Sequence, residues 1–161
     1  TACGRAEQAR LLGEDFTSLS ADEAREYDAI AARIIPSDGT PGAREAGAVY
    51  FIDNVISDAF EGQKQQLRSG LEDLQAKTAS LYGKTQFADL TPVQQDNLLT
   101  QSEGTDFFAT IRFLVIAAMF SLPEYGGNKD KVGWQLIGFE DPHAWTQPYG
   151  FYDSEYLEKG E

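Results

Sequence analysis

Cysteine and histidine are almost missing from this chain of 161 residues, which has one of each, Cys3 and His143. A single cysteine cannot form a disulfide within the chain, and one Cys with one His cannot build a tetrahedral zinc site of nitrogen and sulfur ligands. A nucleophilic arrangement would have to use His143, which lies in the proline-bracketed stretch "EDPHAWTQP". The acidic stretches also lack the alternating carboxylates of a calcium loop. We therefore predict no metal site and no catalytic residue.

Positive charge is scarce as well. The chain has 13 Lys and Arg against 26 Asp and Glu, which gives a formal net charge of −13 and a pI of about 4.4. No basic run is longer than "KDK". Because nucleic-acid binders usually present a basic face, nucleic acid and anionic lipid surfaces are poor partners for this chain.

Long hydrophobic runs are absent too. The longest apolar run, "FFATIRFLVIAAMFSL", covers 16 residues from Phe107 to Leu122 and contains Arg112. A membrane-spanning helix needs about 20 apolar residues without a central charge. The run therefore predicts a helix in the core of the protein.

The first residues raise the question of a lipid anchor. Thr1, Ala2 and Cys3 match the end of a bacterial lipoprotein signal, in which small residues precede a cysteine that becomes lipidated. A free thiol on a frayed terminus is the alternative interpretation. Since the sequence does not begin with Met, we expect that a targeting signal lay upstream and was removed.

Apolar residues recur at helical spacing through most of the chain, with clear start and stop signals. Ser20 with Glu23, and Thr91 with Gln94, form capping boxes. Leu81 and Val93 are expected on buried helix faces. The predicted helices lie within residues 20–36, 43–60, 63–83, 91–103 and 105–123.

These patterns predict an all-α protein. We expect residues 1–18 to form an N-terminal leader segment and residues 19–161 to form a single domain of about five helices. The last third of that domain is expected to be irregular and rich in glycine and aromatic residues, because it shows no helical register.

Arg112 is the single charge within the most apolar helix. Such an arginine must reach water, pair with a carboxylate or face a partner. We favour a pair with Asp53 or Glu103, and a contact with a partner or ligand is the alternative.

The stretch "LPEYGGNKDKVGWQLIGFEDP", residues 122–142, follows the apolar helix. Its glycines do not predict a phosphate-binding loop, because no strand precedes them and the lysine-hydroxyl signature is missing. Gly126, Gly127 and Asn128 permit tight turns, and Trp134 and Phe139 add apolar surface. Packing of this surface and of the aromatic residues after it onto the helical body is the favoured interpretation, and an interface with a partner is the alternative.

Two blocks of the sequence resemble the gluconate 2-dehydrogenase subunit 3 family. In the first, a helix that ends in Ile35-Pro36 precedes the "TPGAREAG" block, Thr40–Gly47. The second carries "YGGN" at Tyr125–Asn128, then "GW" and "IGF". The intermediate "FADLTPVQQDNLL" is also similar, so the resemblance extends from Leu19 to Phe139.

The resemblance implies an exported small subunit of a membrane-associated sugar or polyol dehydrogenase. In this family the FAD and the catalytic base belong to a large partner of the glucose-methanol-choline class, and electrons often leave through a cytochrome c. A twin-arginine signal commonly directs the complex to the periplasm. We therefore expect no cofactor in this chain, FAD in its partner, and a periplasmic location with membrane contact only through the complex or a lipid on Cys3.

The resulting hypothesis is a non-catalytic subunit that binds and stabilises an FAD-dependent dehydrogenase of sugars or sugar acids. An export escort or assembly chaperone for that flavoprotein is one alternative, and a stand-alone enzyme that uses its own carboxylates is another. The residues predicted to contact the partner are Tyr125, Gly126, Gly127, Asn128, Trp134 and Phe139, with Arg44 and Arg112 as secondary candidates.

Overall fold

Six α-helices and three short 3-10 helices form the regular structure of residues 16–58 and 61–140, the residues that the computed structural model describes. No β-strand occurs among these residues, and the all-α prediction is confirmed. The α-helices are α1 (Ala21–Ile34), α2 (Ala48–Asp58), α3 (Glu61–Tyr82), α4 (Pro92–Thr100), α5 (Asp106–Phe120) and α6 (Val132–Ile137). The 3-10 helices are Phe87–Asp89, Pro123–Tyr125 and Lys129–Lys131.

Both predicted capping boxes are present. The Ser20 hydroxyl accepts a hydrogen bond from the Glu23 amide at 3.2 Å, and the Glu23 carboxylate accepts one from the Ser20 amide at 2.8 Å. Thr91 and Gln94 repeat this exchange at the start of α4. These local signals were strong enough to place both helix starts from the sequence alone.

The start of the second helix was predicted wrongly, because α2 begins at Ala48 and not at residue 43. Residues 43–47 instead form a turn that folds back onto the end of α1, where the Ala43 amide donates to the Ile35 carbonyl at 2.9 Å. A Cβ atom on Gly42 would lie 2.5 Å from that same carbonyl oxygen, so the close approach requires glycine.

Helix α5 is the central element, as predicted, and it packs against α1, α2, α3 and α6. Its inward side chains, including Ile111 and Val115, are fully buried. The prediction that Leu81 and Val93 are buried was wrong, since they are 55% and 70% exposed. Each lies near one end of its helix, beyond the reach of the neighbouring helices. None of the helices in residues 16–58 and 61–140 is both long and apolar enough to cross a membrane.

A buried carboxylate, Asp53, holds the chain that leads into α1. It is 6% exposed and accepts hydrogen bonds from the amides of Thr17, Ser18 and Leu19 at 2.7 to 2.8 Å. The predicted pair between Asp53 and Arg112 is therefore absent, because backbone amides satisfy this carboxylate.

A second buried carboxylate, Glu26, holds the loop between α3 and α4. It is fully buried and accepts hydrogen bonds from the amides of Phe87 and Ala88 at 3.0 and 2.8 Å, and from the Gln75 side chain at 2.8 Å. Buried amides in a loop need such acceptors, so this carboxylate replaces the pairing that a helix would have supplied.

Candidate partner-binding surface

The glycine-rich segment after α5, residues 122–139, caps the end of that helix. The last carbonyl groups of a helix accept no hydrogen bond from within the helix, so they need other donors. Here the Asn128 amide donates to the Ala118 carbonyl at 2.8 Å, and the Asn128 side chain donates to the Ser121 carbonyl at 2.9 Å. The Trp134 indole donates to the Phe120 carbonyl at 2.9 Å. The "YGGN" and "GW" residues thus do structural work on the backbone of α5.

Asn128 connects this cap to the next helix. It is completely buried and has a left-handed backbone with φ of 45°, a conformation that Asn tolerates better than most residues. While its side-chain nitrogen bonds the end of α5, its side-chain oxygen accepts from the Gly133 amide at 2.9 Å. One side chain therefore joins α5 to the first turn of α6.

Glycine is required where the segment touches α5. A Cβ atom on Gly127 would lie 2.3 Å from the Ala118 carbonyl oxygen, and one on Gly133 would lie 1.8 Å from the Met119 carbonyl oxygen. The prediction of an irregular C-terminal third was wrong at Val132–Ile137, which form α6. The helix has only six residues and follows Lys131, which has a positive φ, so no periodic pattern could indicate it.

The two sequence blocks that are distant in the chain meet in the fold. The Lys129 amide, in the second block, donates to the Ala46 carbonyl of the first block at 3.0 Å. A Cβ atom on Gly126 would lie 3.0 Å from the Tyr50 carbonyl oxygen at the start of α2. The blocks therefore form one structural unit around the ends of α1, α2 and α5.

The aromatic candidates differ in exposure. Trp134 is 6% exposed, whereas Tyr125 and Phe139 are 37% and 45% exposed. The rings of Trp134 and Phe139 meet edge to face, with centroids 5.2 Å apart. Trp134 and Asn128 thus pack within the chain, Tyr125 and Phe139 face outward, and the contact of any of them with a partner stays a prediction.

The two arginine candidates lie outside residues 122–139. Arg44 pairs with Asp28 of α1 at 2.7 Å. Arg112 is exposed in a cleft of about 250 Å³ that Asp96 and Glu103 also line, and it forms no ion pair with any described residue. The favoured Arg112 pair with Asp53 or Glu103 is therefore wrong. Asp96 itself pairs with Arg33 of α1 at 2.7 Å.

The sequence analysis missed an outward apolar face on α5. Phe113 is 65% exposed, and Ile116 and Phe120 are each 36% exposed. Phe120 also lines a groove of about 240 Å³ together with Leu122, Trp134, Ile137 and Phe139. The signal was present, because a helix that is apolar all round in a small domain cannot bury every side.

The described carboxylates give little support to acid–base chemistry. Burial raises the pKa of Glu23, but hydrogen bonds from the Ser20 amide and from Arg68 outweigh it and leave the pKa below its ordinary value. Hydrogen bonds from Ser37 and the Gly42 amide also lower the pKa of Glu45. Residues 16–58 and 61–140 contain no group of three His, Cys, Asp or Glu placed to hold a metal ion. The Cys3 and His143 candidates, and the aromatic residues after Phe139, lie outside the described residues.

The fold and its capped helix end define a small all-α protein whose sequence motifs serve backbone packing. Residues 21–141 match the family model described as gluconate 2-dehydrogenase subunit 3, and the chain belongs to this family. The match contains both blocks and the stretch between them, and a subunit family implies a dehydrogenase complex of several subunits. Comparisons with curated proteins and with solved structures gave no match.

Proposed function

We propose that this chain is a non-catalytic accessory subunit that binds and stabilises an FAD-dependent dehydrogenase of the glucose-methanol-choline class. The enzyme oxidises sugars or sugar acids in the periplasm. The observation that carries this proposal is the family match over residues 21–141, which covers the body of the protein and both of its motifs.

The structure supports a binding role over a catalytic one. The second block is characterised by Asn128, Gly133 and Trp134. All three form hydrogen bonds or close contacts at the end of α5. Their effect is to fix the main chain and to leave neighbouring apolar side chains such as Ile137 and Phe139 facing outward. An ordered apolar surface is a feature of protein–protein interfaces.

In this complex the FAD and the catalytic base lie in the large subunit, and a cytochrome c subunit accepts the electrons. A twin-arginine signal directs export of the complex, and a lipid on Cys3 or the complex itself provides the contact with the membrane. The chain itself needs no cofactor for its role.

Co-expression with the large flavoprotein subunit tests the proposal. We expect the two chains to co-purify from the periplasm as a stable complex, with flavin absorbance in the fraction that contains the tagged small subunit. We also expect the flavoprotein expressed alone to show reduced export, stability or activity. A flavoprotein that is exported and fully active without this chain would contradict the proposal. Dissociation after folding would instead indicate an export escort.

A further inference from the structure

The outward apolar residues of α5 and α6 form one continuous surface. Phe113, Ile116 and Phe120 follow each other at i, i+3 and i+7 on α5, so they lie along one side of the helix. Phe120 also lines the groove that Leu122, Ile137 and Phe139 complete. We call these six residues the apolar face.

Exposed apolar side chains are concentrated on the apolar face, whereas elsewhere on the described surface they are scattered. Among residues 16–58 and 61–140, the other exposed large aliphatic side chains, apart from Leu136 beside Ile137, are Leu81 and Val93, on two different helices. Scattered residues of this kind are normal on a protein surface, whereas a contiguous apolar patch marks an interaction site.

The backbone beneath the apolar face is held by contacts on its inner side. The opposite side of α5 carries Ile111 and Val115, which are fully buried in the core, and the helix end is fixed by Asn128 and Trp134. A partner that docks here loses little affinity to ordering of the surface, because the surface is already formed.

Charge indicates what kind of partner fits. Arg112 lies one turn before Ile116 on α5, at the edge of the apolar face, and has no ion pair among residues 16–58 and 61–140. A guanidinium that becomes desolvated at an interface needs a carboxylate, with which it forms paired hydrogen bonds. Of the two carboxylates that line the cleft with Arg112, Asp96 is held by Arg33 and Glu103 forms no ion pair with Arg112, so a carboxylate on a partner would complete the pairing.

We propose that the apolar face is the surface on which the large flavoprotein subunit docks, through an apolar ridge that presents a carboxylate to Arg112. This inference rests on the proposed function and adds the site of contact and the chemistry of the surface that meets it. A second copy of this chain fits less well, because each copy carries a formal net charge of −13 and the two would repel each other.

The test measures the affinity of the full chain for the purified large flavoprotein subunit, with flavin absorbance as the readout. Phe113→Asp and Ile137→Asp should each weaken binding by about tenfold or more, because both place a charge in a dry contact. Their side chains are 65% and 60% exposed in the isolated chain, so its melting temperature should change little. Val93→Asp and Leu81→Ser are matched controls, as exposed apolar residues outside the face, and should bind normally.

The role of Arg112 in binding is tested by changing its charge. Arg112→Glu should weaken binding by about tenfold, and Arg112→Lys by less, because the lysine keeps the charge but loses the paired hydrogen bonds. Lys84→Glu makes the same change of charge at an exposed site away from the face and should have no effect.

The outcomes separate the two proposals. If the wild-type chain does not bind the flavoprotein, the proposed function fails. If the wild-type chain binds and the face variants bind equally well, the function stands and the docking surface is wrong. The inference is also overturned if Phe113→Asp abolishes self-association while flavoprotein binding is kept. A loss of melting temperature in Phe113→Asp and Ile137→Asp, without loss of affinity, would assign the face to the chain's own packing.

Discussion

The surface around α1 is rich in ion pairs, whereas the surface of α5 and α6 is rich in exposed apolar side chains. Among the described residues, four ion pairs connect α1 to its neighbours, and each uses one residue of that helix: Arg25–Asp89, Arg33–Asp96, Arg44–Asp28 and Arg68–Glu23. In contrast, eight of the ten exposed large apolar side chains in the described residues lie between Phe113 and Phe139. The first surface is suited to water, and the second is suited to contact with another protein.

On the surface of α5 and α6, the residues of the sequence motif and the exposed residues have separate tasks. Buried Asn128 and Trp134 hold the chain in place, whereas Phe113, Ile137 and Phe139 are presented outward. A motif that identifies the family is therefore a guide to how the surface is held, and the residues that meet a partner are its neighbours.

The largest effect is expected for Trp134→Ala, which tests whether Trp134 holds the chain in place or contacts a partner. We expect it to lower the free energy of unfolding of the isolated chain by about 3–5 kcal/mol, because the substitution leaves a cavity and removes the donor to the Phe120 carbonyl. Urea unfolding measures the effect. Phe139→Ala, at the other ring of the same aromatic pair, should cost about 1 kcal/mol or less because Phe139 is half exposed. Normal stability in Trp134→Ala together with lost flavoprotein binding would make Trp134 a contact residue instead.

Glu26→Ala tests the buried polar contact between α1 and the loop that follows α3. It should lower the free energy of unfolding by about 2–4 kcal/mol, because the buried amides of Phe87 and Ala88 lose their acceptor. The measurement is again urea unfolding, with Glu72→Ala as an exposed control on α3 that should stay within about 0.5 kcal/mol of wild type. Equal stability of the two variants would show that water or another group replaces the carboxylate.

The smallest effect concerns the turn of the first block and depends on pH. The pKa of Glu45 is lowered most by the hydrogen bond from the Ser37 hydroxyl, then by its own backbone amide and by the Gly42 amide. A carboxylate with a lowered folded pKa adds stability that is present above its ordinary value of 4.5 and is lost as pH falls through the folded pKa. Ser37→Ala should therefore be less stable than wild type near neutral pH, and the difference should shrink toward pH values below 4.5. Unfolding curves across that range measure it, and a difference independent of pH would exclude the Glu45 contact as its cause.

Much of the fold could be predicted because its signals are local. The capping boxes at Ser20 and Thr91 and the glycine at the end of α3 act within one turn of the chain. The start of α2 and the existence of α6 could not be predicted in this way. They depend on Gly42 and Gly133 lying against the backbones of Pro36 and Met119, which no local pattern records.

The candidate site divides in the same manner. The sequence indicated the family and the glycine and aromatic residues of the second block, because residue types at fixed spacing are visible in a single chain. It did not indicate that Asn128 is buried, that Arg112 has no acidic partner among the described residues, or that Phe113 faces outward. These properties depend on which side of α5 the other helices cover.

Composition, helix caps and motif spacing specify an acidic, all-α chain that carries the motifs of its family. Only the tertiary structure decided which residues of those motifs are buried and which apolar side chains remain on the surface. The physical reason is that composition, caps and periodicity act over a few neighbouring residues. The exposure of a side chain depends instead on helices that are brought together from distant parts of the chain.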